Sequence, residues 1–325
     1  MEDNFFEQRT DLGSLQQAVE NLKNEIGKVI VGQEEMIELL LAAILADGHV
    51  LIEGVPGVAK TLTAKLLART VSIDFSRIQF TPDMMPSDVI GTTVFNPKDI
   101  NFQFRKGPIF SHLVLIDEIN RAPAKTQAAL FEVMEERQVT VDGTTYPLDA
   151  PFMVLATQNP IEQEGTYHLP EAQLDRFLFK VEVGYPTAEQ EFRIVSHHHR
   201  SGLENQLNEV GPVLSAEQVT ALRAQVREIH VEDKLINFIT SIVAGTRNHK
   251  SIYLGASPRA SIGVLNGAKS IAAMRGRDFV TPEDIIFIVP HVLRHRIVLS
   301  PEKEMEGAQT DDVIAQLIQG IDVPR

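Results

Sequence analysis

The stretch Gly54-Val55-Pro56-Gly57-Val58-Ala59-Lys60-Thr61 follows a short apolar run and opens a helical pattern. That is the context a phosphate-binding loop requires. Glycines let backbone N–H groups converge on phosphate oxygens, Lys60 can reach terminal phosphates, and the Thr61 hydroxyl can ligate Mg²⁺. Leu62 extends the same candidate set into the helix. Ala59 stands where the general pattern has its last glycine, so the backbone there must tolerate a Cβ. A Gly/Pro turn before an amphipathic helix is the plainer alternative, but it gives no reason for Lys-Thr at the helix start.

Further on, Leu113-Val114-Leu115-Ile116 runs into Asp117-Glu118, two carboxylates at the end of a buried strand. Adjacent acids suggest divided labour: Asp117 to hold Mg²⁺, Glu118 to orient and polarise an attacking water. A third apolar run, Phe152 to Ala156, ends in Thr157-Gln158-Asn159-Pro160, which makes Asn159 a candidate for sensing a terminal phosphate or the water. Acids ending a strand, or amides before a proline, carry little alone. In this order they form consecutive parts of one phosphoryl-transfer mechanism.

Such parts need a sheet to hold them. Apolar runs at His49 to Glu53, Ile73 to Ile78, Leu113 to Ile116, Phe152 to Ala156 and Phe177 to Val183 alternate with helical segments, predicting a parallel α/β sheet. Helical spacing at Leu12, Leu15, Val19, Leu22 and Ile26, then over Glu34 to Ala46, predicts two helices ahead of it. Two inserts read as hairpins: Thr93 to Phe95 with Phe102 to Phe104, and Val139 to Val141 with Thr144 to Tyr146 around Asp142-Gly143. After Gly184-Tyr185-Pro186 the periodicity is helical, over Ala216 to Ile229, Leu235 to Thr246 and Pro258 to Arg275. The expected division is a core over 1–184 and a smaller all-α unit over 185–325. From Ser300 onward the pattern is weak.

At 325 residues, 43% hydrophobic and 23% charged, the chain has the composition of a folded globular protein of more than one unit. It contains no cysteine, which removes disulfides, thiolate chemistry and Cys-based zinc sites together. No run is long enough to span a membrane, and the opening residues lack a signal-peptide pattern, so a cytoplasmic location is expected. The formal net charge of -14 opposes nonspecific binding to nucleic acid.

Taken together, Gly54 to Thr61, Leu113 to Glu118 and Asn159 resemble the two phosphate motifs and first sensor of AAA+ ATPases, which have a P-loop NTPase core and a helical lid. The runs Asp117-Glu118-Ile119-Asn120-Arg121-Ala122-Pro123, Ala156-Thr157-Gln158-Asn159-Pro160 and Leu169-Pro170-Glu171-Ala172-Gln173-Leu174-Asp175-Arg176-Phe177 resemble the MoxR family within them. The resemblance covers most of the chain and extends to Ala59. It implies that Arg176 is an arginine finger supplied to a neighbouring subunit, that Arg259 is a second sensor touching ATP phosphate, and that Val31 and Gly32 lie against the adenine. It also implies that both hairpins face the pore of a ring, a hexamer in this family. Read without it, Arg176 is a surface cation, and Ser257-Pro258-Arg259 is a helix start with Ser257 as cap and Pro258 at the first position. A cation there opposes the helix dipole unless an anion is near.

The function so implied is Mg-dependent ATP hydrolysis driving chaperone-like remodelling, assembly or metal insertion on client proteins, with partners that often carry a von Willebrand factor A domain. Two other readings remain open: an ATP-driven nucleic-acid motor, and a nucleotide-gated scaffold without turnover. His197-His198-His199 invites a metal reading, but successive helical residues diverge and a solvated face accounts for them. His112 and His168 lack spaced catalytic partners and read as structural. Arg294-His295-Arg296 reads as a subunit or lid contact.

Overall fold

The computed structural model describes residues 12–159, 167 and 169–324, without the side chains of 201–206; Pro160 and His168 lie outside the described residues. Helices α1 (Gly13–Gly27) and α2 (Glu34–Leu45) precede β1 (Val50–Gly54), α3 (Lys60–Thr70), β2 (Phe75–Gln79) and α4 (Pro86–Ile90). Then come β3 (Gly91–Asn96), β4 (Asn101–Lys106), β5 (Leu113–Asp117), a 3-10 turn at Ile119–Arg121, α5 (Ala124–Glu136), β6 (Gln138–Val141) and β7 (Thr144–Pro147). β8 (Met153–Gln158), α6 (Glu171–Leu174) and β9 (Phe179–Val183) complete the first part. The rest comprises α7 (Ala188–Glu209), α8 (Ala216–Arg227), α9 (Asp233–Thr246), β10 (Ile252–Leu254), α10 (Pro258–Met274), α11 (Pro282–Leu293), β11 (Val298–Leu299), α12 (Pro301–Met305) and α13 (Thr310–Gln319).

The expected parallel sheet is present, in the order β2-β5-β8-β1-β9 with every neighbouring pair parallel. Side chains alternate between its faces, as the two-residue period of a strand requires. Val50, Ile52, Leu113, Leu115, Met153 and Leu155 join a core with α1, α2, α3 and the later helices. Leu51, Val114, Ile116, Val154 and Ala156 join a second core with Leu130, Phe131 and Met134 of α5. The first core runs without a break from the sheet into α10 and α11, so the helical lid is welded to the strands by apolar contact.

Sequence patterns account for most boundaries. Leu15, Val19, Leu22 and Ile26 form the buried stripe of α1, while Thr187 with Gln190 and Ser215 with Gln218 form capping boxes that start α7 and α8. The hairpin β6–β7 turns on Asp142 and Gly143, at φ 50° and 77°, as an Asp-Gly turn of opposite hand requires. It packs on the hairpin β3–β4: Phe104 stacks on Tyr146 with centroids 4.4 Å apart, and Thr93 Oγ1 donates to Asp142 at 2.6 Å. Among the described residues no helix is long and apolar enough to cross a membrane.

Two features depart from the sequence expectations. The lid adds a short antiparallel pair, β10–β11, to its helices; three residues against two give no legible alternation. The weakly patterned end forms α12 and α13, and α13 buries Val313, Ile314 and Leu317.

His49, just ahead of β1, is buried with its ring edge-on to Phe152. Its Nε2 lies 3.1 Å from the Met134 carbonyl, and its Nδ1 accepts the Val154 N–H at 3.0 Å, so the ring is neutral with the proton on Nε2. Burial, reinforced by the nearby Arg137 charge, pushes its pKa from 6.5 down to about 3. The folded value lies below the unfolded one, so this stability is complete above pH 6.5 and is lost as pH falls from there towards 3. Urea unfolding at pH 7 and pH 5 is expected to show a loss that shrinks by about 2 kcal/mol in His49→Gln. An unchanged pH dependence in that variant would count against a neutral buried ring.

Candidate active site

β1 ends at Gly54, where a Cβ would lie 2.6 Å from the Val183 carbonyl of β9, so the strand can pass into the loop only as glycine. Gly57 and Ala59 then take left-handed backbone angles, φ 87° and 61°. The conformation at Ala59 is one an L-residue adopts at a cost of about 1 kcal/mol. Val55 is half-buried, Pro56 and Gly57 are exposed, and Val58 is buried and anchors the loop to the core. α3 begins at Lys60, so its unpaired N–H groups and dipole face the loop. Lys60 donates to the Gly54 carbonyl. Burial pulls its pKa below the ordinary value, and Asp117, Glu118 and Glu53 draw it back up.

The acids stand across from this helix start. Asp117 closes β5 and is buried, with Arg77 Nε at 2.6 Å and the Thr61 hydroxyl 3.5 Å from the same Oδ2. A hydroxyl and a carboxylate so placed are the oxygen donors Mg²⁺ accepts while keeping other positions for phosphate and water. Glu118 follows in a left-handed conformation, φ 57°. Its Oε2 receives Gln79 Nε2 at 2.8 Å and Arg121 Nε at 2.9 Å. Thr157 on β8 ties the two acids together: its hydroxyl donates to Asp117 Oδ1 at 3.1 Å and accepts the Glu118 N–H at 3.0 Å. Asn159 lies half-buried two residues on, at the same carboxyl edge of the sheet.

Beside the loop is a mainly apolar cavity. Val29, Ile30, Val31 and Gln33 line one side, Gly57, Val58, Ala59 and Leu62 the floor, and Pro186, Ile194, His197 and His198 the other side. Its position next to a phosphate loop suits the base of a nucleotide. Gly32 does not line it; at φ 74° it lets the Gln190 side chain of α7 approach where a Cβ would be 2.8 Å away. The histidine run dismissed on helical divergence is therefore partly a cavity wall, because Ile194, His197 and His198 share one helical face at spacings of three and four. No group of three or more His, Asp or Glu side chains suited to a metal occurs among the described residues.

Arg176 and Arg259 lie elsewhere. Val50 pairs with Phe179 and Gly54 with Val183, so Arg176, ahead of β9, sits at the opposite end of the strands from the phosphate loop. Five residues of strand separate those edges, about 17 Å. Arg176 donates through Nη1 to the Phe131 carbonyl at 3.1 Å and to Glu135 at 3.0 Å. Arg259 donates to the other oxygen of Glu135 at 2.6 Å, and Ser257 donates to Asp175 at 3.0 Å. The start of α10 is thus docked at the Arg176 edge, and neither arginine reaches its own chain's phosphate loop.

Arg296 fixes that edge. Its five N–H donors go to Asp175 Oδ1 and to the carbonyls of Asp175, Phe177, Leu178 and Val292. The basic cluster is an internal strut between lid and sheet. Gln79, Arg77, Thr157, Glu135 and Arg296 were given no site role by motif spacing. Arg77 and Gln79 lie two apart on an edge strand facing the acids, which is the one signal sequence carried for them. The others act through contacts distant in the chain.

Residues 49–179 match the family model for the ATPase family associated with various cellular activities, and residues 244–317 match the model for the AAA lid domain. An uncharacterised protein of Bacillus subtilis is 46% identical, over 92% of this chain and 92% of its own length. Chaperone MoxR1 of Mycobacterium tuberculosis is 44% identical, over 93% of this chain and 81% of its own. A crystal structure of a Cytophaga hutchinsonii chain, provisionally described as an ATPase, superposes with a TM-score of 0.89 at 43% identity, covering 97% of each chain.

Thr157→Val keeps the side-chain shape and deletes both hydrogen bonds to the acid pair. The Glu118 N–H then loses its acceptor, and unfolding free energy measured in urea is expected to fall by about 1–3 kcal/mol. Thr157→Ser, which keeps the hydroxyl, is expected to lose much less.

Proposed function

Because the chain belongs to the MoxR family of AAA+ ATPases, we propose that it hydrolyses Mg-ATP at sites shared between neighbouring subunits of a ring and uses the cycle to remodel client proteins. One observation carries this reading. The groups suited to bind and activate ATP collect at one end of the sheet, and the cations suited to complete the site lie at the other end of strands about 17 Å long.

In this mechanism the base enters the cavity beside Val31, and the backbone of Gly54 to Thr61 cradles the phosphates with Lys60 on their terminal charge. Thr61 and Asp117 hold the metal, which supplies charge neutralisation at the phosphates when bound. Glu118, steadied by Gln79 and Arg121, orients the attacking water, and Asn159 contacts the water or terminal phosphate. Arg176 of one chain offsets the charge that develops on the phosphoryl group held by the next. Arg259 acts at the same boundary, since it shares Glu135 with Arg176.

The hairpin β3–β4 supports the remodelling half of the reading. Ile100 and Phe102 are 80% and 73% exposed at its tip, with Val94 and Phe95 also exposed on the same hairpin, a local apolar surface suited to contact with another molecule. The relative named a chaperone points the same way. The net charge of -14 disfavours the nucleic-acid motor.

ATP turnover per subunit is expected to rise with protein concentration as chains assemble. Glu118→Gln and Arg176→Ala are each expected to reduce it by roughly a hundredfold or more. Turnover independent of concentration and untouched by Arg176→Ala would remove the shared site. Acceleration by single-stranded DNA would favour the nucleic-acid motor instead.

A further inference from the structure

Two guanidinium groups on different elements share one carboxylate. Glu135, in the last turn of α5, receives Arg176 on Oε2 at 3.0 Å and Arg259 on Oε1 at 2.6 Å. Without it, two like charges at this separation would repel, and two long side chains would sample many rotamers. Each arginine offers five N–H donors and spends only its Nη1 or Nη2 group on Glu135, so both retain donors for a second anion. Arg176 is held further by the Phe131 carbonyl, and the backbone on either side of it by Arg296.

We infer that Glu135 is a positioning residue that joins Arg176 and Arg259 into one two-cation receptor for the phosphates held by the adjacent chain. The inference rests on the shared-site reading above and adds the element that prepares the donating edge before a neighbour arrives. A carboxylate in this place lowers the cost of gathering two cations, and the pair still carries a net positive charge towards the incoming phosphates. It also ties the start of the lid helix α10 to the turn carrying Arg176, so both cations move together.

Sedimentation in Mg-ATP on the Glu118→Gln background, where turnover is blocked, measures the concentration at which single chains assemble. Adding Glu135→Gln is expected to raise that concentration roughly three- to tenfold. With Glu118 intact, turnover at saturating ATP should fall by a similar factor, with the KM for ATP and the thermal midpoint unchanged. Arg259→Ala is expected to behave alike, and the Glu135→Gln/Arg259→Ala pair to lose less than the sum of the two single losses, since Glu135 acts partly through Arg259 and otherwise only through Arg176. Wild-type behaviour of Glu135→Gln, or additive losses in the pair, overturns the inference. So does tighter assembly, the sign of a carboxylate that competes with the phosphate. If Arg176→Ala abolishes turnover while Glu135→Gln is silent, only the positioning role falls. If Arg176→Ala is itself silent in turnover and assembly, the shared site and Glu135 fall together.

Discussion

All five strands of the central sheet run in the same direction, and the rest of the molecule follows from that constraint. A parallel sheet gathers every carboxyl end on one side and every amino end on the other. β1, β5 and β8 therefore deliver the phosphate loop, the acid pair and Asn159 to a common edge, although more than a hundred residues separate the first from the last. The turn before β9 must lie at the opposite edge. A site that uses both edges cannot be completed within one chain, because a strand is rigid and its length sets the gap.

Two of the non-glycine residues with left-handed backbone lie at this carboxyl edge. Ala59 and Glu118 both adopt left-handed angles that non-glycine residues avoid, and both adjoin groups that must point outward from the sheet. Such conformations persist only where the surroundings over-determine them. Around Ala59 the buried Val58 and the first turn of α3 do so; around Glu118 the Thr157 hydroxyl holds the amide while Gln79 and Arg121 hold the carboxylate. Gly54 lacks a Cβ for a different reason, the close approach of the Val183 carbonyl.

The parallel sheet and both hairpins were legible from the sequence because their signals are local: two-residue alternation, an Asp-Gly turn and apolar runs closed by polar residues. The placement of the Gly54–Thr61 loop ahead of a helix and of the acids at a strand end was legible for the same reason, each being a contiguous run. What sequence did not reveal is non-local. Thr157 spans β8 and β5, Arg296 joins a lid loop to a core turn, and Glu135 meets Arg176 and Arg259 from a third element. On α7 the solvated face read from the sequence is present, with His198 and His199 exposed, and His197 and His198 also border the cavity beside Ile194. The short β10–β11 pair escaped because three residues against two are too few to show alternation, whereas α13 carries a helical spacing, Val313, Ile314 and Leu317, that was missed.

The two edges of the sheet are complementary in chemistry, and complementarity between different surfaces of one chain has a symmetry consequence. In the proposed ATP complex the phosphates would add negative charge to the edge with Asp117 and Glu118; the edge with Arg176 and Arg259 keeps a net positive charge after Glu135 is counted. A contact between them is head-to-tail, and head-to-tail contacts build rings when the rotation closes and filaments when it does not. The angle is set by whatever holds the cationic edge relative to the sheet. Here that is the lid, bonded to the Arg176 turn through Arg296 and Ser257 and sharing an unbroken core with β9. A lid so attached cannot shift without carrying Arg259 and the Arg176 turn with it. In the proposed ring, the occupancy of one nucleotide site would therefore be felt as geometry at the next.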